Sequence, residues 1–344
     1  MRNYIIAVLL LLSTCVNYAY CDSIPSQFEM KDGSIRHGMV IEPQANNKKM
    51  MVIFVCHRLE TMDACRNTFS YLIGKLSDEG ISCCFFESKN TEDPKSPAET
   101  TLFDVAEDAI EVYNSLKRNK QYKNYKIGFL GVSEAAASSL IAAAKISKSS
   151  FLIQVVGAVA EQPKLDLQVY TVNNPQFSMA ITNNFGMSYH DFSCMYQFIL
   201  EQLKSNDYNN AESLSQLIFE KFSDKVSKNE EQFRPLMKAL ILKMDHGTIS
   251  RLNWDSSIYY KDVKCPILYF VASKDNNVQC YSNLFKFEQI MFKNKHRNYS
   301  TVLLNAKHDL LPEYIGHKMP KDVDYSIREK AYDIIHEWLK VLIK

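Results

Sequence analysis

The sequence predicts an α/β protein in which helices flank a mostly parallel central sheet. Three observations lead to this class. Continuous apolar runs of strand length recur along the chain, and such runs are typical of strands buried on both faces. Amphipathic helical stretches separate these runs, and this alternation of strand and helix indicates βαβ units. Residues 161–262 then contain no strand-like run of comparable strength, which predicts a helical insertion.

The first part of the predicted sheet protein spans residues 22–160. It opens with a hairpin over residues 27–43, because Asp32-Gly33 is a turn signal in which glycine takes the positive φ that the turn requires. A helix stop is predicted at Asp78-Glu79-Gly80. The pattern predicts strands at 50–56, 81–86, 126–130 and 151–160, and helices at 69–76, 102–116 and 135–146.

The second part of the sheet protein spans residues 263–344. Its apolar runs predict two more strands, at 265–271 and 299–304, and a closing helix at 325–342. Between the two parts, residues 161–262 are predicted to form a helical cap, with helices at 189–204, 211–222 and 231–244. The simplest account is one sheet that a helical cap interrupts and that the second part completes.

The overall charge excludes one class of partner. The chain has 344 residues with 40 Lys and Arg against 39 Asp and Glu, a net charge of +1. A balance of this kind leaves no electrostatic footprint for nucleic acid, so no nucleic-acid partner is expected.

The N-terminus predicts export. Arg2 precedes the apolar run Ile5 to Leu12, and small residues follow, which is the pattern of a secretory signal peptide. The run is shorter than the ~20 residues of a membrane-spanning helix. We predict a signal peptide at residues 1–21 and a secreted or periplasmic mature chain without a transmembrane helix. An alternative is lipoprotein anchoring, because Leu12-Ser13-Thr14-Cys15 loosely resembles a bacterial lipoprotein box.

The cysteines and glycines indicate neither a metal site nor a cofactor. The chain has no Cys-x-x-Cys pair, no phosphate-binding glycine loop and no His-Glu-x-x-His helix. Without Cys15 and Cys21, seven cysteines remain, so at least one thiol is unpaired within the mature chain. Several of the seven lie in or beside apolar runs and are predicted to be buried free thiols: Cys56, Cys83, Cys84 and Cys265.

A strand–turn–helix unit carries the first candidate catalytic residue. The strand at 126–130 leads into Gly131-Val132-Ser133-Glu134-Ala135, and a predicted helix follows directly. A Gly-x-Ser-x-small turn holds a serine hydroxyl clear at the carboxyl edge of a sheet, beside the backbone N–H groups of the next helix. We therefore predict that Ser133 is a nucleophile. The alternative is that Ser133 only caps the helix.

A histidine and a carboxylate complete the candidate set. A serine hydroxyl needs a base, and His308 lies in the loop after the apolar run that ends at Leu304, where ligand-facing residues of parallel sheets occur. Asp275 follows the strand at 265–271 and is predicted to orient His308 and stabilise its imidazolium. The alternative is that Asp275 is only a turn residue. The order Ser133, Asp275, His308 is the order of the α/β-hydrolase topology.

These motifs resemble those of the α/β-hydrolases, in particular the esterase and serine-aminopeptidase-like branch related to prolyl oligopeptidases. The resemblance runs from about residue 27 to the end of the chain. It is carried by the serine turn, by Cys265-Pro266 with the later Lys274-Asp275 and Val278, by Asn305-Ala306-Lys307-His308, and by residues 254–266 as the return from a cap. It implies an α/β-hydrolase fold with a helical cap and a serine hydrolase acting on a small-molecule acyl substrate. Carboxylic esters are the first choice, and short peptides or amides are the second.

The loop after the strand at 50–56 departs from the pattern of these relatives. They continue with His-Gly, whereas this chain reads Cys56-His57-Arg58-Leu59. We expect an oxyanion hole formed by the N–H groups of Glu134 and Leu59, or of Arg58 if the register shifts by one. Each such donor contributes ~3 kcal/mol to transition-state stabilisation. The alternative function is a catalytically impaired binding protein on the same fold.

Overall fold

The strands of the central sheet form where the sequence has continuous apolar runs. The structure, a computed structural model, describes residues 23–43, 46–58, 60–88, 100–159, 175–205, 211–242, 244, 246–312 and 323–343. Within them the strands are β1 (Ser23–Glu29), β2 (Ile35–Ile41), β3 (Met50–Val55), β4 (Ile81–Phe86), β5 (Lys126–Val132), β6 (Leu152–Val155), β7 (Ile267–Ala272) and β8 (Tyr299–Leu304). Their order across the sheet is β1-β2-β4-β3-β5-β6-β7-β8. The pairs β1–β2 and β2–β4 are antiparallel, and every other pair is parallel.

The helices of the sheet protein fall on both faces of this sheet. They are α1 (Met62–Thr68), α2 (Ser70–Glu79), α3 (Leu102–Arg118), α4 (Glu134–Lys145), α11 (Cys280–Lys293) and α12 (Ser326–Ile343). Helices α3, α4 and α11 pack on one face, and α1, α2 and α12 pack on the other. Because both faces are covered, every residue of β3, β4 and β7 is buried.

The described part of the insertion is helical and has a core of its own. Between β6 and β7 lie α5 (Pro175–Phe185), α6 (Tyr189–Ser205), α7 (Ala211–Phe222), α8 (Glu230–Leu242), α9 (His246–Arg251) and α10 (Ser257–Tyr260). Large apolar side chains such as Phe185 and Phe233 are fully buried between these helices. The end of the insertion lies next to the segment that follows β6. Trp254 Nε1 donates to the Ala158 carbonyl (3.1 Å), and Ser256 Oγ donates to the Val159 carbonyl (2.8 Å).

Most predicted elements are confirmed, including the hairpin with Gly33 at φ +80° and the end of α2 at Gly80, which is left-handed at φ +89°. One predicted strand is shorter, and five helices were not predicted. The strand predicted at 151–160 ends at Val155, because Val156 has a positive φ of 47° that breaks the extended backbone. The helices that were not predicted are α1, α5, α9, α10 and α11. In α1, Thr61 caps the helix and only Cys65 is buried, so this helix leaves little apolar pattern.

The N-terminus lies outside the described residues, whereas seven of the cysteines lie within them. The predicted signal peptide, the lipoprotein-like box and the cap boundary between residues 160 and 161 lie outside the described residues. In the described segments, no helix is long and apolar enough to cross a membrane. All seven cysteines there carry free thiols, six of them buried and Cys194 exposed.

Candidate active site

The three predicted site residues meet at the carboxyl edge of the sheet. Ser133 directly follows β5, Asp275 lies in the loop after β7, and His308 lies in the loop after β8. His308 Nε2 lies 2.8 Å from Ser133 Oγ, and His308 Nδ1 lies 2.7 Å from Asp275 Oδ2. An ionised carboxylate only accepts hydrogen bonds. In this arrangement Nδ1–H therefore donates to Asp275, and Nε2 is left to accept the hydrogen bond of the serine hydroxyl.

Ser133 is held in a strained turn. Its φ of 56° is unusual for a residue with a side chain, and its N–H donates to the Val155 carbonyl at the end of β6 (2.9 Å). A Cβ atom at Gly131 would lie 2.3 Å from the Ala135 carbonyl oxygen and 2.7 Å from Ser139 Oγ. Glycine is therefore required at this position so that α4 can start directly after β5.

Asp275 is fixed from three directions. Its side chain is 1% exposed. One carboxylate oxygen, Oδ1, accepts from the N–H groups of Asn277 (2.7 Å) and Val278 (2.8 Å), and the other faces His308. These bonds set the plane of the carboxylate, and with it the direction in which the imidazole points.

The loop that carries His308 is braced at both sides. The Lys307 N–H donates to the Leu311 carbonyl (2.8 Å), and the Leu310 N–H donates to the Lys307 carbonyl (3.0 Å). Leu310 has a positive φ of 59°, which closes the turn around the histidine. The His308 side chain is 21% exposed, so the imidazole is supported by the loop and still accessible from solvent.

One of the two predicted oxyanion donors is described. Glu134 is the first residue of α4, and the N–H groups of a first helical turn have no acceptor within the helix. Leu59 lies outside the described residues. The neighbouring turn is closed by the Glu60 N–H, which donates to the His57 carbonyl (2.8 Å).

A cluster of ionisable side chains lies beside the serine turn, and two of them, Glu134 and Arg58, are buried. Glu134 Oε1 lies 3.2 Å from Arg58 Nε and 3.3 Å from His57 Nε2, and Oε2 lies 3.1 Å from Arg251 Nη1. The Glu134 side chain is 6% exposed and that of Arg58 is 4% exposed. Arg58 and Arg251 thus share one carboxylate, and Arg251 belongs to α9 of the insertion. The ion pair joins the insertion to the residue that follows Ser133.

Gly247 of α9 makes a second contact with the same loop. A Cβ atom there would lie 2.6 Å from Arg58 Cζ and 2.5 Å from the Thr100 carbonyl oxygen. The sequence marked Arg58 as a departure from relatives and as an alternative oxyanion donor, but it did not point to Arg251. No local pattern marks Arg251, since its partner is 117 positions away in the chain. The buried cluster is visible only once α9 and α4 are brought together.

The buried thiols of Cys65 and Cys84 are poor candidates for a nucleophile. A hydrogen bond with Cys56, together with burial, raises the pKa of the Cys65 thiol far above its ordinary value. Burial likewise raises the pKa of the Cys84 thiol. Thiols in such surroundings stay protonated and unreactive. Among the residues that the structure describes, no group of three or more His, Cys, Asp or Glu side chains is arranged to hold a metal ion.

Topology and comparison together define the fold as the α/β-hydrolase fold. An esterase from Pyrococcus furiosus has a TM-score of 0.57 at 13% identity, with 94% of this chain and 92% of that chain covered. A carboxyl esterase from Bacillus coagulans has 0.55 at 13% (94% and 100% covered), and a dienelactone hydrolase from Anabaena variabilis has 0.51 at 11% (93% and 97% covered). No protein-family model and no curated protein matches the sequence.

Proposed function

We propose that this protein is an exported serine hydrolase that cleaves carboxylic esters through an acyl-enzyme. One observation carries the proposal: a continuous chain of contacts from Asp275 Oδ2 through the two ring nitrogens of His308 to Ser133 Oγ, with distances of 2.7 and 2.8 Å. These contacts support the roles of nucleophile for Ser133, base for His308 and orienting group for Asp275.

The proposed reaction has two halves. Ser133 Oγ attacks the ester carbonyl carbon while His308 Nε2 takes the hydroxyl proton, and Asp275 stabilises the imidazolium that forms. The tetrahedral intermediate collapses, the C–O bond to the alcohol breaks, and His308 gives its proton to the departing oxygen. Water then attacks the acyl-enzyme with His308 again as the base, which releases the acid and restores Ser133.

The negative oxygen of each intermediate needs hydrogen-bond donors. The Glu134 N–H is one proposed donor, because it starts α4 beside Ser133. Leu59 is the second proposed donor, with Arg58 as its alternative. Removal of a donor of this kind typically costs a factor of 10²–10³ in kcat.

Carboxylic esters are the favoured substrates, and short peptides or amides are the second choice. Two of the structures named above are esterases and the third is a dienelactone hydrolase, which favours ester chemistry over peptide chemistry.

A substrate panel tests the proposal. Purified protein is assayed with p-nitrophenyl esters of increasing acyl length and with aminoacyl p-nitroanilides, beside Ser133→Ala as the matched control. Turnover of esters that Ser133→Ala abolishes supports the proposal. Turnover of the anilides alone would indicate that the substrates are peptides or amides. Ester turnover that persists in Ser133→Ala would show that Ser133 is not the nucleophile.

A second candidate is a catalytically impaired binding protein on the same fold. The observation in its favour is Arg58, which fills the position where relatives carry the glycine of the oxyanion loop and is buried against Glu134. An impaired protein would bind ester analogues and leave every ester of the panel uncleaved.

Export rests on the N-terminal pattern of residues 1–21. Secretion from a bacterial or eukaryotic host followed by N-terminal sequencing tests it. A mature chain that begins at Asp22 supports the signal peptide, and a lipid-modified Cys15 would support lipoprotein anchoring. A chain that retains Met1 inside the cell would contradict both.

A further inference from the structure

Helix α11 carries an aromatic stripe on its outer face. Its buried side chains, such as Phe287 and Ile290, point towards the sheet. Tyr281, Phe285 and Phe292 lie four and seven positions apart, on the opposite side of the helix. They are 62%, 66% and 88% exposed. We call these three residues the aromatic stripe. Large exposed apolar groups that share a face indicate an interaction surface rather than a core.

Basic side chains surround the end of this stripe. Lys293, Lys295 and Arg297 follow Phe292 within five positions and are all exposed, and we call them the basic cluster. Exposed Lys264 lies alongside, since the Ile267 N–H donates to the Asn298 carbonyl (3.0 Å) and so joins the two segments. From Cys280 to Arg297 the chain has four Lys or Arg residues and one carboxylate, Glu288, which accepts from Tyr299 Oη (2.5 Å). The segment from Cys280 to Arg297 therefore carries a net charge of +3, although the whole chain has a net charge of only +1.

The charge pattern distinguishes between two occupants. In an antiparallel, two-fold pair of α11 helices, the basic cluster of one copy would face the start of α11 in the other. Residues 276–284 contain no Asp or Glu, so the start of α11 in a second copy has no carboxylate to pair with the basic cluster. A parallel pair would set like charges side by side. An anionic lipid surface supplies both an apolar interior for the aromatic rings and negative headgroups for the bases.

We propose that α11 is a peripheral membrane-docking surface for anionic lipid bilayers. The aromatic stripe enters the interfacial region of the bilayer, and the basic cluster lies at the level of the headgroups. Tyr281 is only six positions after Asp275, so docking through α11 holds the catalytic edge of the sheet near the lipid surface. The docking itself does not depend on the proposed hydrolase activity.

Co-sedimentation with vesicles tests this surface. The full-length chain is mixed with vesicles of phosphatidylcholine alone or with added phosphatidylglycerol. We expect binding to the anionic vesicles and release at high salt, because salt screens the headgroup attraction. The variants Tyr281→Ser/Phe285→Ser/Phe292→Ser and Lys293→Gln/Lys295→Gln/Arg297→Gln should each lower the partition coefficient about tenfold or more.

Two control variants distinguish binding through this surface from non-specific hydrophobic or electrostatic binding to vesicles. Leu242→Ser/Val341→Ser removes side chains that are 68% and 67% exposed on other helices. Arg118→Gln/Lys120→Gln/Lys123→Gln removes the same charge from another exposed segment. Both controls should bind like the unaltered chain. The N-terminal apolar run is present in every variant, so it cannot account for a difference between them.

Three results would overturn the inference. The first is an aromatic-stripe variant that binds anionic vesicles as well as the unaltered chain. The second is an unaltered chain that binds no vesicles and is dimeric by light scattering, while the aromatic-stripe variant is monomeric. That result would assign the stripe to contact with a second copy of the chain. The third is a monomer that binds no vesicle.

Discussion

The hydrogen-bonding capacity of Asp275 decides which nitrogen of His308 carries the proton. Oδ1 is occupied by the N–H groups of Asn277 and Val278, so Oδ2 alone faces the imidazole. In Asp275→Asn the amide oxygen can keep both backbone bonds, and the amide NH₂ group then faces Nδ1. Since that group donates, Nδ1 must accept, and Nε2 carries the proton that should come from Ser133.

Asp275→Asn should therefore keep the fold and lose the activity. We expect kcat to fall about 10⁴-fold, the effect of a wrong imidazole tautomer in a serine protease triad, with an unchanged unfolding midpoint. Asp309→Asn is the control, because Asp309 accepts from the Leu311 N–H (3.0 Å) through an oxygen that asparagine retains. Steady-state kinetics on a p-nitrophenyl ester measures both. Equal losses in the two variants would contradict the role of Asp275.

Gly131 should tolerate no side chain. In Gly131→Ala the new Cβ would lie 2.3 Å from the Ala135 carbonyl oxygen, so either β5 or α4 must move. We expect a loss of about 1–3 kcal/mol in unfolding free energy and a fall in activity, because the same shift displaces Ser133. Gly33→Ala is the matched control: it has a positive φ of 80° and no atom within 4 Å, so only about 1–2 kcal/mol of backbone strain is expected and activity should persist. Full activity in a stable Gly131→Ala would contradict the close contact.

At the scale of elements, Glu134 connects three segments. Its carboxylate joins the start of α4 to the loop after β3 through Arg58 and to α9 of the insertion through Arg251. The pair with Arg58 is almost completely buried, and a buried charge that loses its counter-ion is costly. The position of the insertion over the serine turn should therefore depend on this one side chain.

Glu134→Gln should lower the unfolding free energy by about 3 kcal/mol, measured by urea denaturation. Glu107→Gln is the control, since Glu107 pairs with Lys145 at the other end of α4 and both side chains are about half exposed. An exposed pair of this kind contributes about 0–1 kcal/mol. An equal loss of unfolding free energy in the two variants would contradict this role of Glu134.

At the scale of the whole molecule, burial on both faces made most of the sheet predictable. β3, β4 and β7 are uninterrupted apolar runs because helices cover them on each side, and their observed bounds lie within two residues of those predicted. β6 was predicted to end five residues too late, because the residues after Val155 are also apolar. Nothing in their composition records the positive φ of Val156 that ends the strand.

The candidate site was predictable to a similar extent. Ser133, Asp275 and His308 each follow an apolar strand, and the topology of a parallel sheet brings such loops to one edge. The Arg58–Glu134–Arg251 cluster was not predictable, because it depends on where α9 of the insertion lies relative to α4. That position is set by the folded insertion and not by any local pattern around Arg251.

Reaction of Ser133 with a fluorophosphonate tests the central claim most directly. A hydroxyl activated by His308 should form one covalent adduct, which intact-mass analysis counts and peptide mapping locates at Ser133. Ser133→Ala and His308→Gln should remain unlabelled, with unfolding midpoints close to that of the unaltered chain. A folded, unaltered protein that forms no adduct, or an adduct on another residue, would contradict the account.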